Sequence, residues 1–105
     1  MSALSAAVSG VGVASQGVAL AANNVANVNS EGYRAKRLQR EELPQGGVRG
    51  AGVQETGEPA VPGGSNVDLA AEAIALKTDS VAYQASLKVV KAQEDMIGTA
   101  LDMKA

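Results

Sequence analysis

A chain of 105 residues fits one small domain, and this one is poorly supplied for a self-contained core: it has no Phe, no Trp and two Tyr, against twenty Ala and 12 Gly. Its formal net charge of -2 gives no general attraction to nucleic acid or to an anionic membrane. Without Cys there is no disulfide or thiolate chemistry, and without His the commonest neutral-pH acid/base and metal ligand are missing, so no cofactor and no metal are expected.

Residues 2–28 read as a helix. Leu4, Val8, Val11, Val18, Ala22 and Val25 recur at alternating spacings of four and three, with Ser15 in the gap, which is a coiled-coil-like stripe. Gly10, Gly12 and Gly17 each cost about 1 kcal/mol relative to Ala, so the helix should rely on a partner for its order. No charged side chain occurs before Glu31. A secretory signal needs a basic start and a compact apolar run. A spanning helix needs about 20 predominantly apolar residues. The Ser and Gly scattered through this segment suit neither, and no direct membrane insertion is expected.

The segment then ends in Asn23-Asn24-Val25-Ala26-Asn27-Val28-Asn29-Ser30-Glu31-Gly32-Tyr33. Asn disfavours a helix interior because its amide competes for backbone groups. At a helix end it supplies donors to orphan carbonyls, or takes a left-handed backbone. The plain reading is an elaborate helix stop followed by a turn. The functional reading is that these amides also bond neighbouring subunits.

Residues 34–65 hold all three Pro and most of the Gly. Two extended runs, 34–42 and 48–56, flank Leu43-Pro44-Gln45-Gly46-Gly47, which has turn chemistry. Either a β-hairpin or an irregular extended segment fits. Arg34, Lys36, Arg37 and Arg40 form a basic cluster, but they follow a helix C-terminus and have Glu31, Glu41 and Glu42 as partners, so no nucleic-acid site is expected. The adjacent carboxylates Glu41-Glu42 and Glu94-Asp95 point different ways on a strand or helix and read as solvated faces. The glycines of 46–52 lack the Lys-Ser/Thr of a phosphate loop.

Residues 67–103 read as one long helix, capped by Ser65 or Asn66 after Pro62-Gly63-Gly64. One stripe is Leu69, Ala73, Leu76, Ser80, Tyr83, Leu87, Val90, Ile97 and Leu101, with Glu94 intruding; a second is Ile74, Val81, Val89, Ala92, Met96 and Met103. One short partner helix cannot cover both faces. One face is therefore expected on the first helix and the other on neighbouring subunits.

The Asn-rich stretch, read through Arg34, closely resembles the signature near the N-terminus of bacterial flagellar rod and hook axial proteins, with Ser30 where Thr is usual. Three C-terminal stretches, 66–70, 82–90 and 94–102, resemble the C-terminal helix of the same family, nearest to its proximal-rod branch. The central segment is shorter and richer in Gly than is usual there. The resemblance implies a mainly α fold with two long terminal helices packed as a hairpin. The parts are then an N-terminal helix with its Asn motif (1–33), a central extended segment or hairpin (34–65) and a C-terminal helix (66–105). It also implies a non-enzymatic subunit of the flagellar basal-body rod, exported through the flagellar type III apparatus without cleavage. Its partners would be copies of itself and other rod proteins. The assembly motif would be Asn23, Asn24, Val25, Ala26, Asn27, Asn29, Gly32 and Tyr33. Packing residues would be Leu4, Val8, Val11 and Val18 on the first helix, and Leu69, Leu76, Tyr83, Leu87, Val90, Met96, Ile97 and Leu101 on the second. The rival reading is a soluble two-helix adaptor or export chaperone.

Overall fold

A computed structural model describes residues 2–104. The chain forms helix α1 (Ala3–Ala26), strands β1 (Lys36–Glu42) and β2 (Val48–Glu55), and helix α2 (Leu69–Lys104). The strands pair antiparallel, so the central segment is a β-hairpin rather than an irregular loop. Its turn is Leu43–Gly47: Leu43 N donates to Gly47 O at 3.0 Å. Gly46 and Gly47 take φ of 95° and 88°, which a side chain would strain.

The helix ends follow from local chemistry. Ser2 caps α1 by accepting from Ser5 N at 3.0 Å. The cap of α2 is Asp68, whose Oδ1 accepts from Ala70 N at 3.0 Å and Ala71 N at 3.3 Å. Sequence had pointed to Ser65 or Asn66. Both are occupied elsewhere: Ser65 donates to Val28 O at 2.6 Å, and Asn66 holds the strand region. The carboxylate at 68 also suits the positive end of the helix.

The helices run antiparallel in a register that repeats every seven residues. Asn24 meets Glu72, Gly17 meets Asp79, and Gly10 meets Ser86. The same step brings Ala3 opposite Gln93, which is half-buried. On α1 the buried residues include Ala7, Ala14, Gly17, Ala21 and Asn24. The seam is thus a line of small residues at alternating spacings of three and four. It lies one position away from the valine stripe expected to form it. Small side chains let the helices approach closely, and the space they leave is filled by the polar residues of α2. A Cβ added at Gly17 would clash with both the Asp79 carboxylate and the Arg40 guanidinium.

The hairpin covers one side of the helix pair. Val48 N donates to Ser9 Oγ at 3.1 Å, and Leu38 packs beside Leu20 and Ala21. On the other side Ser15, Val18, Ser80, Tyr83 and Gln84 line an open groove. Val8, 55% exposed, and Leu87 follow the same faces of their helices by heptad spacing. Because α2 is twelve residues longer than α1, its residues 94–104 run on for about 16 Å past the start of α1. Met96, Ile97, Leu101 and Met103 are exposed there, Met103 at 83%.

Two glycines in one helix should therefore respond oppositely to Ala. Gly12 has nothing within 4 Å of a built Cβ. Gly12→Ala should stabilise by about 0.5–1 kcal/mol through helix propensity. Gly17→Ala must break the Asp79–Arg40 pair to find room, and should destabilise by about 1–3 kcal/mol. Urea titration of the two variants checks both signs.

Candidate functional site

The Asn motif is built around Asn24, which is fully buried. Its amide uses all its hydrogen-bonding capacity. Oδ1 accepts from Tyr33 Oη and from Lys36 N, both at 2.9 Å. Nδ2 donates to Lys36 O at 2.9 Å and to Glu72 Oε2 at 3.1 Å. One side chain thus ties α1, the turn after it, β1 and α2. It pairs with Lys36 as a neighbouring strand would, through both backbone groups.

Glu72 is fully buried and is the seam's most demanding group. Arg37 Nη2 lies 2.6 Å from its Oε1 and supplies the counter-charge. Seven residues on, Asp79 is 4% exposed and accepts a two-pronged bond from Arg40 at 2.8 and 2.9 Å. Arg37 and Arg40 lie three apart and on a flat strand would face opposite ways. The register breaks between Gln39 and Arg40, leaving Ala51 as the extra residue. The added twist of that bulge and the length of the arginine side chains let both reach α2. Arg49 and Glu41 also pair, at 2.7 Å, but both are exposed and the pair contributes little.

The rest of the motif closes the end of α1. Asn27 is the C-cap, and its Nδ2 donates to Asn23 O at 2.9 Å, an orphan carbonyl of the last turn. Its φ is -106°, so no left-handed asparagine is used; Gly32, with φ 75°, makes the turn instead. Gly32 N donates to Gly64 O at 2.9 Å. Asn23, Val25, Ala26 and Asn29 are exposed. Tyr33 is half-buried, with Lys36 Nζ 5.9 Å from its ring centre. Burial, then the nearby Glu72 and Glu55 carboxylates, push its phenol above the ordinary 10.0.

Sequence reasoning missed three residues of this network. Asn66 accepts from Ala35 N at 2.6 Å and donates to Glu58 O at 2.7 Å, holding the loop before α2 against the start of β1. Glu72 and Asp79 were not singled out, since a carboxylate on a helix is normally solvated. Their heptad spacing, opposite the glycines of α1, was the available signal. Of the expected packing residues, Leu4, Val11, Val18, Leu76 and Val90 are half-buried beside the seam. Val8, Leu69, Tyr83, Leu87, Met96, Ile97 and Leu101 are on the exposed side, and the structure brings none of these seven into the seam.

Residues 63–103 match the family model of the flagellar basal body rod FlgEFG protein C-terminal region. Over that stretch the chain is similar to the flagellar basal-body rod family. The matched residues run from the Gly63 turn through nearly all of α2 and include Asn66, Glu72 and Asp79; the Asn motif lies outside them. No curated protein is similar enough to match. The rod family is structural and is not an enzyme family, and its members belong to the flagellar basal body. Among the described residues no cluster of acidic side chains could hold a metal ion.

Two outcomes follow for this site. Asn24→Leu would strand Lys36 N, Lys36 O and the Tyr33 hydroxyl, and should destabilise by about 3 kcal/mol or more, whereas Asn27→Leu at the exposed cap should cost about 1 kcal/mol. Thermal melts of the two variants measure the gap. The raised Tyr33 pKa makes a contribution to stability that is fully present below pH 10.0 and is lost as pH rises through the folded-state pKa. In a Tyr83→Phe background, an ultraviolet titration of the remaining tyrosine should have its midpoint above that of the urea-unfolded chain.

Proposed function

We propose that this rod subunit assembles through its two terminal helices into a helical axial tube that transmits torque. The observation that carries this reading is the open apolar side of the helix pair, continued along the overhang of α2, in a chain whose α2 matches the rod family. Apolar side chains in helical rows along both helices suit lengthwise and lateral packing against other subunits. A torque-bearing tube needs contacts in both directions.

Export through the flagellar type III channel fits the same reading. The molecule measures 67 × 24 × 15 Å and carries polar groups in its seam, so it gains little from folding before it reaches its neighbours. The uncharged α1 then serves as the export signal, and no cleavage is needed.

Truncation after Gln93 tests the reading. The deleted piece removes Met96, Ile97, Leu101 and Met103, each worth roughly 1.5–3 kcal/mol if fully buried in an assembly. In cells lacking the full-length chain, the truncated protein should leave the cytoplasm and be absent from purified basal bodies. Its incorporation into complete rods would show the overhang dispensable and sink the proposed contact. Recovery of the full chain only in closed complexes of fixed size would favour an adaptor instead.

A further inference from the structure

We infer that the β-hairpin is a charge-gated clamp, so that α1 and α2 pair only when Arg37 and Arg40 are docked on the seam. This rests on the chain's own geometry and holds whether or not the subunit builds a torque-bearing tube.

The face of α2 that meets α1 carries two buried carboxylates, Glu72 and Asp79. Helix α1 brings no positive charge to them, because it has no charged side chain at all. Glu72 receives one neutral amide from Asn24, and Asp79 meets the bare backbone of Gly17. Both counter-charges come from β1, through Arg37 on Glu72 and Arg40 on Asp79. The other charged groups nearby do not substitute. Lys36 lies over Tyr33, Arg49 pairs with Glu41, and Glu55 adds further negative charge on the Tyr33 side. Closing the helices without the hairpin would bury two uncompensated carboxylates, which is strongly unfavourable.

The dependence runs the other way as well. A lone two-stranded hairpin is marginal in water. Here β1 is held by the Asn24 amide and the two ion pairs, and β2 by Ser9. The arginine side chains keep 38% and 42% of their surface exposed, so they can leave the seam without crossing a closed interior. Hairpin docking and helix pairing are then one event. A chain whose hairpin is undone, as in transit through a narrow passage, holds its helices apart by the charge in their own seam.

The full chain has no cysteine, so an introduced pair reports helix pairing cleanly. The Cβ built at Gly10 lies 3.7 Å from Ser86 Cβ, within the span of a disulfide. In the Gly10→Cys/Ser86→Cys chain, the disulfide fraction at equilibrium in a glutathione buffer measures pairing. A Gly12→Cys/Ser86→Cys chain is the mismatched control, since Gly12 faces away. Adding Arg37→Met and Arg40→Met should lower the disulfide equilibrium by roughly tenfold or more, the partial exposure of the arginines limiting the loss. Adding Glu72→Gln and Asp79→Asn to that chain should restore it to within about threefold of the parent, because neutral amides need no counter-charge. The proposal is overturned by an unchanged equilibrium in the arginine variant, or by no recovery on neutralising the acids, which would mark the arginines as packing groups alone. It is also overturned if the parent pair cross-links no better than the mismatched control.

Discussion

The contact between Asn24 and Glu72 is the constraint on which the rest of this structure depends. Both side chains are fully buried, and each takes its partners from other segments of the chain. Asn24 needs the backbone of Lys36 and the hydroxyl of Tyr33; Glu72 needs Arg37. A buried polar group left unpaired costs more than a paired one contributes. The arrangement therefore penalises any other register. A shift of one residue along the seam would set Glu72 against Val25 or Asn23, and would bury Asp79 against a side chain instead of Gly17.

That specificity comes at the expense of cohesion. The residues that would stabilise an isolated domain lie on its outside: Val8, Leu69, Ile74, Leu87, Met96 and Ile97 are exposed, while the seam holds Ala, Gly and carboxylates. Small-residue contacts bury little apolar area, and the two ion pairs largely offset the desolvation of their own charges. The polar seam sets which conformation forms, and the exposed rows have no partner within the described residues. Such a division fits the assembly proposed above.

The hairpin holds an intermediate place in this scheme. As a pair of strands it has little independent stability, and most of β2 is exposed. What it contributes is charge and geometry. The bulge at Ala51 and the left-handed glycines of the turn give it the twist and reversal that bring Arg37 and Arg40 over the helix pair. Apolar packing under it includes Leu38 beside Leu20 and Ala21 of α1.

The sequence by itself determined the elements. Helix periodicity, the Pro-Gly breaks and the turn glycines placed α1, the hairpin and α2 to within a few residues, because those signals are local. The Asn-rich motif marked the end of α1 for the same reason, and the resemblance at both ends of the chain pointed to the rod family. Tertiary structure alone decided what faces what. Periodicity shows that Val8, Val11 and Val18 share a face, but not that the line of Ala and Gly beside it makes the closer contact. That choice depends on how near the second helix can come and on what fills the space. Likewise Glu72 and Asp79 have the look of surface positions, since a carboxylate is normally solvated. Only the arrival of Arg37 and Arg40 from a strand more than thirty residues away, opposite glycines in another helix, makes their burial possible, and no local pattern encodes that meeting.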